Sequence, residues 1–304
     1  MTVLCLGLAA DPTFMHGVQA LRSAGVPCRP VDLPSMALRG DDLRVPPDDP
    51  REATFLTDGG VFRLGDHRAV WSRLLDVSSA APDDLIRRTA ARQFSSVARL
   101  LEAVDLPVLN PPLREASGFT KVLHSLALGG VGGWPVPRTC LTNDPAEALD
   151  FVRGCPGGAI FKGASAYKTW ATRFTPEHEP LLPRITALPV LFQELIAGPD
   201  VRVHMVGDQG FAELIRSPAL DYRTLRGVNT YSPLQLPADI LANCAKLTAF
   251  CEIPLLGIDF KLEESTGTWF FLEANSLPCF EGYDRRADGA ISRAIVNWLT
   301  TPAH

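Results

Sequence analysis

Near the carboxyl end of the chain, two carboxylates and an amide fall within a short stretch. Asp259 lies in Gly257-Ile258-Asp259-Phe260, and Glu273 and Asn275 lie in Phe271-Leu272-Glu273-Ala274-Asn275. Both segments read as strands. Side chains at i and i+2 of a strand share a face, so Glu273 and Asn275 point the same way and Phe271 continues that row inward. If the two strands pair as a hairpin, Asp259 joins that face. Two carboxylates and an amide oxygen form a hard-oxygen site suited to Mg²⁺, which keeps several waters and bridges phosphates instead of filling a protein cage. An ordinary charged strand face is the plainer reading. It is disfavoured because both carboxylates are embedded in apolar sequence, where an unpaired charge is costly to bury.

A second group is cationic. The chain has only five Lys, and the first is Lys121. Lys162 closes the apolar run Ala159-Ile160-Phe161 and precedes the small-residue loop at 163–167, where a flexible point charge can meet phosphates as the loop closes over them. A third group follows Leu191-Phe192-Gln193-Glu194-Leu195-Ile196: Asp200 and Arg202 at i and i+2, Arg216 at the end of the next strand, and Arg223. Converging arginines suit a phosphate or carboxylate held by forked hydrogen bonds. Surface lysines and a row of surface salt bridges are the plainer readings of these two groups.

The elements that must hold these residues follow from local signals. Residues 2–8 form an apolar strand. Asp11 and Pro12 start a helix with Phe14, Val18 and Leu21 on one face and Gly25 as its stop, and a parallel strand follows near 29–33. Residues 34–52, rich in Pro and Asp, read as a loop; 61–64 and 69–74 read as a hairpin about Gly65-Asp66. An amphipathic helix over 83–104 leads to a strand at 107–109. After Asn110-Pro111-Pro112 come a helix at 121–128, an extended 135–141, a helix capped by Asp144-Pro145 and closed by Gly154, and strands at 159–162 and 168–174. Strands at 190–196, 201–206 and 210–216 follow, the last two joined by Gly207-Asp208. A helix at 237–251, strands at 255–262 and 268–274 and a helix at 288–299 complete an α/β opening and an antiparallel α+β body.

Composition sets the outer bounds. The chain has 304 residues, 46% of them hydrophobic, enough for a substantial core or for two to three small ones. A net charge of −5 with no basic face argues against a nucleic-acid partner. No apolar run is long enough for a membrane span and no basic segment opens a signal peptide, so a cytoplasmic protein is expected. Seven cysteines without metal or redox spacing read as reduced, mostly buried thiols. Six scattered His argue against a Ser-His-Asp arrangement.

The ordered set resembles an ATP-grasp ligase. It runs through Asn110-Pro111, Lys121, Pro135-Val136-Pro137-Arg138-Thr139, Lys162 and its loop, Phe192-Gln193-Glu194, Asp200-Val201-Arg202, Asp221-Tyr222-Arg223, Gly257-Ile258-Asp259 and Leu272-Glu273-Ala274-Asn275. It is similar to the branch of ribosomal-protein glutamate ligases, glutathione synthetases and graspetide (microviridin-type) peptide maturases, and Val70-Trp71-Ser72-Arg73 resembles the element that closes the pre-ATP-grasp domain of the maturases. The resemblance implies an α/β pre-ATP-grasp domain at 1–110 and two α+β ATP-grasp subdomains, at 111–192 with the lid and 193–304 with the metal site, enclosing ATP. Lys121 and Lys162 would contact phosphates. Gln193, Glu194, Leu195 and Ile196 would form the adenine hinge, and Asp200 would meet the ribose. Asp259, Glu273 and Asn275 would hold two Mg²⁺ ions, with Mn²⁺ able to substitute. Arg202, Arg216 and Arg223 would neutralise the γ-phosphate and an acyl-phosphate.

The implied activity is ATP-dependent carboxylate–amine ligation on an amino acid, short peptide or related natural-product precursor. The alternatives are a graspetide maturase crosslinking a ribosomal precursor peptide, a small-molecule kinase on the same fold, and a nucleotide-binding regulatory module without turnover. Arg73, Tyr283 and Arg285 would bind substrate. Phe280, Tyr283, Arg285 and Arg286, standing close together, would narrow the acceptor end and favour a small partner. Self-association is left open.

Overall fold

The computed structural model describes residues 1–39, 42–57, 59–115, 121–163, 170–225 and 227–301, the side chains at 34, 37, 115 and 121–123 excepted. The chain forms two compact units. The first comprises Met1–Ala116, Thr248–Leu256 and Ser276–His304, and the second Ser117–Leu247 and Gly257–Asn275.

In the first unit, four parallel strands run in the order Cys28–Asp32, Thr2–Gly7, His67–Ser72, Val108–Leu109. Val3, Leu4, Cys5 and Leu6 are all fully buried, as a parallel strand covered on both faces requires. The helix Pro12–Ser23 starts where the sequence signals it: Asp11 caps it through the Thr13 amide, with Pro12 in the first turn. Its Gly17 lies against Trp71, where a Cβ would stand 1.8 Å from the indole.

Two expectations fail here. Residues 33–39 form a helix, Leu33–Arg39, where a loop is expected; Asp32 accepts from both the amide and the hydroxyl of Ser35, and Met36 is fully buried. There is no hairpin about Gly65-Asp66. Gly60–Arg63 pairs instead with Thr54–Thr57, with Phe55 stacked on Phe62, while His67–Ser72 enters the parallel sheet. The strand His67–Ser72 is buried almost continuously, and such a run belongs in the centre of a sheet; a two-stranded ribbon alternates.

The second unit has two antiparallel sheets. One runs Thr172–Arg173, Ala159–Gly163, Val190–Glu194, Thr139–Thr142; the other runs Thr230–Leu234, Gln209–Arg216, Asp200–Val206, Leu255–Glu263, Thr268–Asn275. Gly207, at φ 60°, makes the expected tight turn. The helix Lys121–Gly132 packs on the strand Thr268–Asn275. The lid expected at 163–167 falls outside the described residues beyond Gly163. The strand Thr230–Leu234, the 3₁₀ segment Pro176–Ala187 and the helix Glu281–Arg286 had no clear sequence signal. All seven cysteines are reduced: three are buried, three half-buried, and Cys279 is exposed. Among the described residues no helix is long and apolar enough to cross a membrane.

Candidate functional site

A cleft lies within the second unit. Gln193, Glu194, Leu195 and Ile196 form one end, at and just beyond the end of the strand Val190–Glu194. This turn is fastened by the Glu194 amide donating to the Arg138 carbonyl and the Leu195 amide to the Gly158 carbonyl. Ile160 and Lys162, two apart on the strand Ala159–Gly163, both reach the cleft. The Lys162 ammonium stands 3.4 Å from Gln193 Oε1.

The other end is acidic. Asp259 and Glu273 face each other across the strands Leu255–Glu263 and Thr268–Asn275. The Asn275 amide lies 3.1 Å from Asp259 and 3.4 Å from Glu273. The row does not continue inward to Phe271. After Asp259↔Glu273 the ladder resumes at Phe260↔Phe271, so Leu272 is an extra residue, a β-bulge. The bulge places Leu272 in the cleft with Glu273 and leaves Phe271 stacked on Trp134 and edge-on to Phe260. Ser125 donates to the carbonyl of the bulged residue at 2.7 Å.

Two cross-strand ion pairs lie on this face. Arg202 donates to Asp259 Oδ2 at 2.7 Å, and Lys261 donates to Asp200 Oδ2 at 2.9 Å. Burial pushes the Asp259 carboxyl up; Arg202 opposes this and Glu273 adds to it. Burial likewise pushes Asp200 up to about 6, opposed by Lys261. Arg223 grips Asp221 with a fork of two bonds, 2.8 and 2.6 Å, and its guanidinium lies over the Trp170 ring. These bonds raise Arg223 above its ordinary range and, against the effect of burial, hold Asp221 low.

For a metal, Asp259 and Glu273 supply carboxylate oxygens, and Asn275, whose Nδ2 donates to both of them, would add its Oδ1 on turning its amide over. Among the described residues no cluster of three His, Cys, Asp or Glu could cage an ion. Facing each other across the ladder, Asp259 and Glu273 fit Mg²⁺, which needs one or two carboxylates and completes its shell with water and phosphate oxygens.

The cleft collects Lys162, Gln193, Glu194, Leu195, Ile196, Asp200, Arg223, Asp259 and Glu273. Arg202 stands behind Asp259, 7% exposed, and is not part of the cleft wall. Arg216 is turned away. Arg202 pairs with Glu213, so the odd positions of Gln209–Arg216 share its face, and Arg216 lies on the opposite face in an exposed pair with Glu264. The side chain of Lys121 lies outside the described ones. In the first unit, Arg73 is buried against Asp11 and the Pro278 carbonyl, Tyr283 lies under Arg286, and Arg285 is exposed. Phe280, expected beside the substrate, is fully buried and edge-on to His16, so it is a core residue of the first unit. Sequence reasoning passed over Lys261, although it sits two residues past Asp259 in a Lys-poor chain.

No family model matches the chain, and no curated protein does. Solved structures do match over its whole length. The macrocyclase MdnC of Microcystis aeruginosa MRC, bound with precursor peptide MdnA, has a TM-score of 0.83 at 20% identity, covering 99% of this chain and 100% of that one. A RiPP-associated ATP-grasp ligase of Chryseobacterium gregarium, in complex with ADP and a leader and core peptide, has 0.83 at 19%, covering 100% and 97%. The ATP-grasp ligase PsnB, complexed with minimal precursor, Mg and ADP, has 0.79 at 23%, covering 98% and 97%.

The chain has the ATP-grasp fold. The α/β opening and the antiparallel body expected from the sequence are parts of this ATP-grasp architecture.

Proposed function

We propose that this chain is an ATP-dependent ligase that activates a carboxylate of a peptide as an acyl-phosphate and passes the acyl group to an amine or hydroxyl. One observation carries the reading: a single cleft has the turn at 193–196 at one end and Asp259 and Glu273 with Arg223 at the other, both carboxylates accepting from the Asn275 amide beside the cleft. The hinge 193–196 would take the adenine, Asp200 the ribose, and Lys162 the phosphates, with Lys121 a further phosphate ligand. Asp259, Glu273 and Asn275 would hold Mg²⁺, which when bound screens the phosphate oxygens and draws charge from the departing ADP.

In the first step a carboxylate oxygen attacks the γ-phosphorus, the bond to the β–γ bridging oxygen breaks, and ADP departs. In the second the nucleophile attacks the acyl carbon, the C–O bond to phosphate breaks, and phosphate and a proton are released. Neither step asks the protein for a covalent bond, so charge placement supplies the catalysis. Arg223, forked onto Asp221, is held to neutralise the transferred phosphoryl group. Arg202 positions Asp259.

A peptide is favoured over a free amino acid because three solved proteins of the same fold carry precursor, or leader and core, peptides. The test is incubation with Mg²⁺ and ATP and either free amino acids or peptides bearing acidic, hydroxyl and amine side chains, following ADP, phosphate and product mass. Equimolar ADP and phosphate with loss of one water per bond from a peptide supports the reading. Turnover on free amino acids alone overturns the peptide assignment, and a phosphorylated product identifies a kinase.

A further inference from the structure

Lys261 lines the cleft, yet the nucleotide assignments above give it no role. Its side chain is 16% exposed, and its ammonium donates to Asp200 Oδ2 at 2.9 Å and to the Gly198 carbonyl at 3.2 Å. An ammonium has three N–H donors. The third has no acceptor among the described residues and is left for a molecule in the cleft.

The backbone fixes where this ammonium stands. Gly198 has φ 134°, and a Cβ there would lie 2.0 Å from the Leu262 carbonyl oxygen, so only glycine allows the chain leaving the hinge to press on the Lys261 strand. The Leu262 amide completes the contact by donating to the Pro199 carbonyl at 3.1 Å. Gly198 is two residues past Ile196, the last hinge residue. Lys261 is two residues past Asp259, roughly 7 Å along the strand. The ammonium and the Asp200 carboxylate therefore stand between the hinge and the acidic end. In a nucleoside triphosphate the group between base and phosphates is the ribose. Each of its vicinal hydroxyls both donates and accepts, which a carboxylate beside an ammonium complements.

We infer that the Asp200–Lys261 pair reads the ribose diol, with Lys261 donating to one hydroxyl and making the site selective for ribonucleoside over deoxyribonucleoside triphosphates. The inference rests on the nucleotide-binding reading of the cleft and assigns it one further, specificity-determining residue. The plainer role, neutralising Asp200 alone, predicts no such selectivity.

Calorimetric titration of the full chain with ATP, 2′-deoxy-ATP and 3′-deoxy-ATP at fixed Mg²⁺ separates the two. ATP should bind at least about tenfold tighter than one of the deoxy forms, because a site built for a hydroxyl penalises its absence. Lys261→Met, which keeps the stem and loses the donor, should bring that ratio toward one by weakening ATP more than the deoxy form; Lys261→Gln serves if the Met variant does not fold. Equal affinity of the wild type for all three nucleotides overturns the inference. So does a variant that weakens all three by one common factor. Failure of the wild type to bind any nucleotide is a different result and overturns the proposed function itself.

Discussion

Replacing Arg73 with Met should damage stability before chemistry. The Arg73 side chain is 5% exposed and its partner Asp11 10%. Its Nε donates to Asp11 Oδ2 at 2.5 Å, and its Nη1 to the Pro278 carbonyl at 3.1 Å. The same Asp11 carboxylate caps the helix Pro12–Ser23 through its other oxygen, so one buried charge serves two contacts. Removing one partner of a buried pair costs about 3–5 kcal/mol, because the remaining charge is left uncompensated. For a unit of this size each kcal/mol lowers the melting point by about 2–4 °C, so a fall of about 6–20 °C is expected. Calorimetric unfolding measures it. Asp11→Ala should lose the pair and also the cap, about 1 kcal/mol more. The double variant should cost less than the sum of the single ones, as residues in contact do. A melting point unchanged in Arg73→Met, with turnover or substrate affinity reduced, would refute this account and return Arg73 to the substrate site.

Glu273→Gln removes a metal-facing charge at constant volume; turnover should fall at least about 100-fold while far-ultraviolet circular dichroism and the melting point stay near wild type. Asp200 gives a pH signature. Its folded carboxyl is raised to about 6, so the folded chain binds more protons than the unfolded one in this range, and its stabilising contribution is complete below about pH 4 and is lost as pH rises through 6. Denaturant unfolding should show wild type losing about 2 kcal/mol relative to Asp200→Asn between about pH 4 and 7. Arg216→Gln, on the opposite sheet face and paired with exposed Glu264, should leave nucleotide affinity and turnover unchanged; a loss in a steady-state assay would place Arg216 back in the site.

Local signals carried much of the fold. Asp11-Pro12, Asp144-Pro145 and Gly207-Asp208 each mark an element end by a backbone requirement that the sequence displays directly. The helix at 33–39 was hidden because its cap, Asp32, and its core residue, Met36, sit in a stretch whose Pro and Asp content suggests a loop. Asp259 and Glu273 stand out in the sequence because charge within apolar strands is anomalous, and both line the cleft. The bulge at Leu272 was not, since one extra residue leaves no mark on composition or period. Arg216 was placed by its nearness to a strand end, whereas pairing register decides its face. Lys261 needed the pairing of two strands distant in sequence before its contact with Asp200 had meaning.

The most direct test of the central claim is titration of ATP into the wild type and into Asp259→Asn and Glu273→Gln, each with and without Mg²⁺. Wild type should bind ATP and bind it more tightly with Mg²⁺, and the two variants should lose the Mg²⁺-dependent gain while remaining folded. ATP binding that is absent in every condition, or a Mg²⁺ gain undiminished in both variants, would contradict the account.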